Sequence, residues 1–518
     1  MKTKLQNKFS LLLFAFAILF SVFSLSNNSS AANYPLEIIN VEEVGENNRI
    51  RFAYPGIEYN VVIAAEGGAY PFVWELVEAP EGMVIDNHKG IITWTPIANG
   101  TSNVTVKVTD KEGNSDSESY SITVTDSTDR FLFIDENALE EKTGSITQPY
   151  ANLDEIWDTD HGGKIVYFRE GAYTIPHKNN SIRHASKTDI DTTNPFSYLG
   201  YPGETTIIDE ECNPSITDGG DGLGNYPGYL FSWGRNDIYF GNLTFDNIYY
   251  YALSKSGSDY STIYDCSFKN AYTSDEAANQ SYINYMAGGS SDYDVIVGNV
   301  FEGPVTGGSN MQAVETYTTT HILIENNTII GMPNYGVFFK DRTSNSTIRS
   351  NIFLGCSNAI GQYAQYGSND IEICFNYIVG STSRDLYIGP VNDITNHYIY
   401  RNTFASLGGI NIRDTFMTNI LLQRNIIQND MVDSGNIGDN TFYRHRTYFR
   451  YVDAETYNND IIFSDNLEGS SGLVDSDGLL IDRTYVGTYG WEIAEDEYWN
   501  DGEVDATPPN APTGLLVS

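Results

Sequence analysis

The clearest pattern in the chain is a phrase that returns again and again through its second half. A short alternating apolar run leads to an asparagine, and an apolar pair and often a glycine follow, as in Ile322-Leu-Ile-Glu-Asn-Asn327-Thr-Ile-Ile-Gly and Thr347-Ile-Arg-Ser-Asn351-Ile-Phe-Leu-Gly. The asparagines at 299, 327, 351, 376, 402 and 425 lie 23 to 28 residues apart. Alternation marks strands, and a fixed period of this size marks a solenoid whose turns rise about 4.8 Å each. At the bend between two strands an asparagine can adopt a left-handed conformation, and its amide can bond the next asparagine up the stack. These six are therefore expected to be a structural ladder rather than catalytic groups.

The repeat predicts an all-β chain whose main body, residues 131 to 490, is a right-handed parallel β-helix. Phrases such as Gly163-Lys-Ile-Val-Tyr-Phe-Arg-Glu-Gly and Tyr198-Leu-Gly-Tyr-Pro-Gly resemble the opening turns of such solenoids, and Tyr485-Val-Gly-Thr-Tyr-Gly resembles a closing phrase. Residues 33 to 126 differ. Alternating segments such as Val104-Thr-Val-Lys-Val-Thr, punctuated by Gly, Pro and Asp, predict a separate β-sandwich. This stretch resembles the immunoglobulin-like modules of bacterial surface and secreted enzymes, which implies a spacer or support with Trp74 and Trp94 in its core.

The ends predict other things. Lys2, Lys4 and Lys8 precede an apolar run from Phe9 to Leu25 and a small-residue exit at Ala31 and Ala32, the pattern of a signal peptide over residues 1 to 32. Export is therefore expected, to the periplasm, the cell surface or the medium, with no membrane association of the mature chain. Residues 491 to 518 read as a linker, and Pro508-Pro-Asn-Ala-Pro-Thr-Gly-Leu resembles the first strand of a truncated fibronectin type III module. Of the four cysteines, Cys266, Cys356 and Cys374 fall in strand phrases and are expected as free, buried thiols, and Cys212 lies outside such a phrase.

The net charge of −39 repels phosphate backbones and excludes nucleic acid as a partner. An acidic polysaccharide would meet the same field, so its binding calls for calcium or a local cluster of cations. A monomer is expected. The loop Asp218-Gly-Gly-Asp221-Gly-Leu-Gly-Asn225 fits no full calcium ligand set and reads as a turn. His321 and His397 show no partner in the sequence.

In each turn another strand precedes the ladder phrase, and its outward side chains form one flank. Aligning these strands predicts that Lys255, Glu315, Lys340, Tyr363, Tyr387 and Arg413 point outward along a single groove, with Asn411 beside them. The segment Tyr335-Gly-Val-Phe-Phe-Lys340-Asp-Arg-Thr is similar to the catalytic turn of the alginate lyase and chondroitinase B family. That resemblance implies Lys340 as the base that abstracts a proton beside a uronate carboxylate, an arginine one turn later, and acidic calcium ligands one turn earlier. Glu315 and Asp341 are the expected calcium ligands. The next turn offers Gln362, Tyr363 and Gln365 where the arginine is expected, so Arg342 or Arg413 would have to take that part. Lys255, Tyr363, Tyr387 and Asn411 are expected to bind the sugar chain.

These residues predict an exported lyase that cuts an acidic polysaccharide by β-elimination. Three alternatives stay open on the sequence. Glu315 and Asp341 could serve a glycoside hydrolase, which needs two carboxylates roughly 5 to 10 Å apart, as in the carrageenase-like β-helices. An epimerase would abstract the same proton. A Tyr-rich groove such as Tyr249-Tyr-Tyr251 could bind glycans without cutting them.

Overall fold

A computed structural model describes residues 35 to 428 with interruptions, the longest at 184–195 and 210–228. Beyond residue 428 it describes the strands Thr441–Arg444, Thr447–Arg450, Ile461–Ser464 and Leu467–Gly469, and the residues Trp491 and Ile493. The expected signal peptide, Cys212, the Asp218–Asn225 loop, the phrase at Tyr485 and residues 494–518 lie outside the described residues.

The solenoid is present as three long sheets of 12, 11 and 11 strands. Its strands visit the sheets in rotation. Thr319–Glu325 lies in sheet 1, Thr328–Ile330 in sheet 2 and Tyr335–Lys340 in sheet 3, and Ser346–Arg349 returns to sheet 1 beside the strand where the turn began. Apart from Thr441–Arg444, which pairs antiparallel with Thr447–Arg450 at the end of sheet 3, each strand pairs in parallel with its equivalent one turn on, so aligned residues stack in columns. One such column, Phe245, Phe268, Phe301, Ile329, Phe353, Ile378 and Phe404, fills the interior behind sheet 2. Within it Phe245, Phe268 and Phe301 stack at centroid distances of 4.9 and 4.8 Å. The column exists because the pleat returns the same parity to the core on every turn.

The asparagine ladder forms as expected, with one correction. Asn299, Asn327, Asn351, Asn376, Asn402 and Asn425 are buried, and from Asn299 to Asn402 each Nδ2 donates to the Oδ1 of the next at 2.9 to 3.0 Å. The left-handed residue, however, is the one before each asparagine: Gly298, Asn326, Ser350, Phe375, Arg401 and Arg424 have φ between 53° and 71°. Five of these carry side chains, at a cost of about 1–2 kcal/mol per residue, which the two amide bonds made at each rung offset. Cys266 takes the ladder position one turn earlier, its backbone N–H donating to Asn299 Oδ1.

The sandwich occupies residues 37–124 as sheets of four, three and two strands, and Trp74 and Trp94 are buried in it. It is not a detached spacer. Many of the outward residues of sheet 1 are apolar, and the sandwich covers them. Tyr167, Leu199, Tyr239, Tyr264 and Leu323 pack with Tyr54, Ile57, Val62 and Ala64 of the sandwich. Further along, Cys374, Phe375 and Tyr400 pack with Tyr70 and Phe72. Polar ties cross the same seam. Arg349 Nη2 donates to Ala65 O at 2.8 Å and to Glu325 at 2.9 Å, His321 Nδ1 lies 3.2 Å from Glu66, and Asp237 accepts from Gly45 N and Asn48 Nδ2. Burying so many large side chains, each contributing about 1.5–3 kcal/mol, fixes the two units together.

The expected linker at 491 also has a structural part. Trp491 is buried against sheet 2, stacked on Tyr377 at 5.4 Å. With sheet 1 sealed by the sandwich and part of sheet 2 covered by Trp491, the outer face of sheet 3 is left for a site.

Candidate active site

Sheet 3 holds every strand from which the sequence drew its groove. In its outward column Asn284, Glu315, Phe338, Gly361, Tyr387 and Asn411 follow one another on successive turns, and a second column places Tyr317, Lys340 and Tyr363 side by side. Where these columns meet, four polar groups close on one another. Lys340 Nζ lies 2.5 Å from Glu315 Oε1 and donates to Tyr317 OH at 2.8 Å. Tyr317 OH donates to Glu315 Oε1 at 3.3 Å, and Asn284 Nδ2 donates to Oε2 at 3.3 Å. The ammonium also sits 4.9 Å from the ring centres of Tyr317 and Phe338.

Burial grades across this cluster. Glu315 is 0% exposed, whereas the Lys340 side chain retains 13%. Burial pushes the Glu315 carboxyl above the usual carboxylate range, against the pull of Lys340, Tyr317 and Asn284. The same burial, with the charge of Glu315 beside it, pushes the Tyr317 phenol far above its ordinary value, so Tyr317 stays protonated.

Aromatic groups flank the cluster. Tyr335 stacks on Phe338 at 4.0 Å and Tyr387 adjoins them. Gly361 makes room for this patch, since a Cβ there would stand 2.2 Å from the Tyr335 ring. Tyr363 is 37% and Tyr366 is 59% exposed. Immediately after Lys340 the backbone turns through two left-handed residues, Asp341 and Arg342, and the Arg342 guanidinium lies over the Tyr366 ring at 4.9 Å. Non-glycine residues held there cost about 1–3 kcal/mol each, a strain that gathers at functional sites.

The expected residues thus separate. Lys340, Glu315, Tyr363 and Tyr387 share the outer face of sheet 3, Asn411 follows Tyr387 in its column, and Asp341 and Arg342 form the adjoining turn. The backbone of Arg413 pairs with Arg450 two columns away from Asn411, and its side chain lies outside the described part. Lys255 is a correction. It is buried inside the solenoid, its Nζ 2.6 Å from both oxygens of Asp294 and 3.1 Å from Ser261 Oγ. It shares parity with Leu253, a core residue, so the pleat turns it inward and it cannot meet a sugar chain. Tyr317 was missed although it stands two residues after Glu315 on the same face. His321 and His397 both have partners: Glu66 at the seam, and Gln362 in the interior at 2.7 Å.

The residues at Glu315 do not fit a calcium ion. Both carboxylate oxygens are engaged, one of them by an ammonium, and the group is sealed from solvent. Among the described residues no group of three or more His, Cys, Asp or Glu side chains is arranged to hold a metal.

The "Putative Ig domain" family matches residues 43–125, in agreement with the sandwich, and the remainder is a parallel β-helix by its own sheet order. Among solved structures the chain is similar to a rhamnogalacturonan lyase, with 11% identity, a TM-score of 0.40 and coverage of 72% of this chain and 96% of that one. It is also similar to the pectate lyase Pel9A, with 12% identity, a TM-score of 0.37 and coverage of 72% and 89%. The third is the family 28 exopolygalacturonase of Yersinia enterocolitica, with 12% identity, a TM-score of 0.40 and coverage of 76% and 95%. No curated protein matches the chain. Likeness this loose says nothing about which bond is cut.

Proposed function

We propose that the chain is an exported polysaccharide lyase that cleaves a uronic-acid polymer by β-elimination on the outer face of sheet 3. The observation that carries the reading is the contact of Lys340 with both a sealed carboxylate and a protonated phenol. A base for this reaction must be a neutral amine. Burial favours the protonated form of Glu315, so a proton passed from Lys340 to Glu315 leaves the amine neutral and removes two charges from a low-dielectric site. Lys340 Nζ then takes the proton on the carbon beside the uronate carboxylate. The electron pair forms the C4–C5 double bond, the C4–O bond breaks, and the Tyr317 hydroxyl protonates the departing oxygen. The 2.8 Å bond between Lys340 and Tyr317 returns the proton to the phenol. Tyr363 and the patch around Phe338 offer faces on which sugar rings can stack, and Arg342 offers positive charge for the uronate carboxylates.

A hydrolase built on Glu315 and Asp341 is disfavoured by the same geometry, because Glu315 lies beneath Lys340 and cannot reach a glycosidic oxygen. The test is incubation with a panel of uronic-acid polymers. Unsaturated, ultraviolet-absorbing ends that vanish in Lys340→Ala support the lyase. Saturated reducing ends would establish a hydrolase, and retention without cutting would reduce sheet 3 to a binding surface.

A further inference from the structure

The outer face of sheet 3 carries a further cation that the proposed reaction leaves unused. Arg384 opens the strand Arg384–Gly389, two turns after the strand that ends in Lys340, and stacks in a column with Tyr335 and Asn358. Lys340 belongs to another column, which runs through Tyr363 to Gly389 at the far end of the same strands. Two turns of about 4.8 Å along the axis and five residues of about 3.3 Å across it separate their backbones by roughly 19 Å.

The Arg384 side chain is held in place without being used up. Its guanidinium lies 4.6 Å from the Tyr387 ring centre, and Nη1 donates to Asn358 Oδ1 at 3.3 Å. Asn358 is fixed in turn, its Nδ2 donating to Asn334 O at 3.0 Å. The Tyr387 ring leans over Gly389, where a Cβ would stand 2.2 Å from its Cζ, so the cation rests on a ring that is itself set by the sheet. Arg384 is half-buried, and among the described residues Nε and Nη2 make no hydrogen bond and no carboxylate pairs with it. Asp385, next in the chain, is buried. A guanidinium stacked on an aromatic face keeps its edge donors free, and their planar fork matches a carboxylate.

Arg342, over the Tyr366 ring at 4.9 Å, repeats this arrangement beside Lys340. The described columns of this face and their adjoining turn therefore set Lys340, Arg342 and Arg384 against two carboxylates, Asp341 and the sealed Glu315, in a chain whose net charge is −39. We infer that Arg384 is a specificity-determining residue, which takes the carboxylate of a uronate held several sugars from the bond that is cut. The polymer then lies diagonally across sheet 3, from Lys340 over the patch of Phe338, Tyr335 and Tyr387 to Arg384. This rests on the reading of sheet 3 as the face that holds a uronic-acid polymer.

Affinity electrophoresis of the Lys340→Ala protein through gels containing polygalacturonate, alginate or hyaluronan tests it without cleavage. Retardation by at least one polymer is expected, and adding Arg384→Gln should weaken it about 10-fold, the loss of a charge-assisted contact. Lys89→Gln, which removes an exposed cation from the sandwich, should change nothing. The methyl ester of the retarding polymer, with the same rings and no charge, should not distinguish Arg384→Gln from its parent. Where Lys340 is intact and the polymer is cut, Arg384→Gln should raise KM about 10-fold and leave kcat unchanged. Retardation that depends on Arg384 in a protein that cuts nothing would remove the lyase and keep the inference. Retardation by none of the polymers, retardation indifferent to Arg384→Gln, an equal loss in Lys89→Gln, or a fall in kcat in place of a rise in KM overturns it.

Discussion

The molecule contains two pairs of the same chemistry in different places. Lys255 with Asp294 and Lys340 with Glu315 each join an ammonium to a buried carboxylate at 2.5–2.6 Å, and both lysines end strands of sheet 3. One residue of parity separates their fates. Lys255 falls in step with Leu253 and is drawn inside, where burial pulls the lysine down and pushes Asp294 up to about 6. Lys340 falls in step with Phe338 and keeps a face to solvent. The first pair can only hold the coil together, whereas the second stands where something that arrives can touch its lysine.

The largest expected effect sharpens this contrast. Lys340→Ala should lower cleavage about 100- to 10,000-fold in initial rates of ultraviolet absorbance, the range for a positioned base. Its melting temperature should move little, because water reaches Glu315 once the lysine is gone. Lys255→Ala should do the reverse. It strands Asp294 inside the coil at a cost of about 3–5 kcal/mol, read as a lower urea midpoint, with cleavage per folded molecule unchanged. Restored stability in Lys255→Met with Asp294→Leu would confirm that the interior pair serves packing alone. Lost cleavage in that double variant would break the comparison.

Titration tests a broader form of the contrast, between the seam and the interior. Burial pushes Glu372 up to about 7, and the bond and charge of Glu66 raise His321 even though burial alone would lower it. Both groups bind protons more tightly when folded, so their stability is present at low pH and is lost as pH rises through these raised values. Burial lowers His397 to about 4, and its share is present above about 6.5 and lost as pH falls through 4. Melting temperature should therefore decline once pH passes about 6.5, and Glu372→Gln should shrink the part of that decline that ends near pH 7. His397→Asn should leave a steeper gain on acidification, since the interior no longer opposes the seam. A flat profile in the parent would sink this reading.

The smallest effect separates exposed charge from sealed charge. With Glu315 sealed, a calcium requirement belongs to bridging an acidic surface and an acidic polymer. Chelation should then slow cleavage at low ionic strength, and about 0.15 M sodium chloride should restore it, because salt screens exposed charges beyond about 8 Å. Failure of salt to substitute would point to a dedicated ion site.

Much of this was legible in sequence because the solenoid repeats one local rule. The ladder asparagines, the three sheets and the core columns follow from parity and period, and so does the placing of Glu315 and Lys340 on one outer face. Strand position alone misleads at Lys255, where parity decides, and Tyr317 carries no sequence mark beyond its place two residues after Glu315. The docking of the sandwich was hidden for another reason. The apolar outer face of sheet 1, at Tyr167, Tyr239 and Tyr264, reads in sequence like more core, and only the third dimension shows that a second unit covers it.

The ladder has a sense of direction. Every side-chain amide from Asn299 to Asn402 gives one hydrogen to the asparagine of the next turn and the other to a backbone carbonyl of the turn before, so five amide dipoles point the same way along the axis. A column of this kind is polarised as a whole, each link strengthening the next. It therefore has a head and a tail that are not equivalent. The rungs lie 23 to 28 residues apart and the column is nonetheless unbroken, so variation in coil length is absorbed at the other two bends.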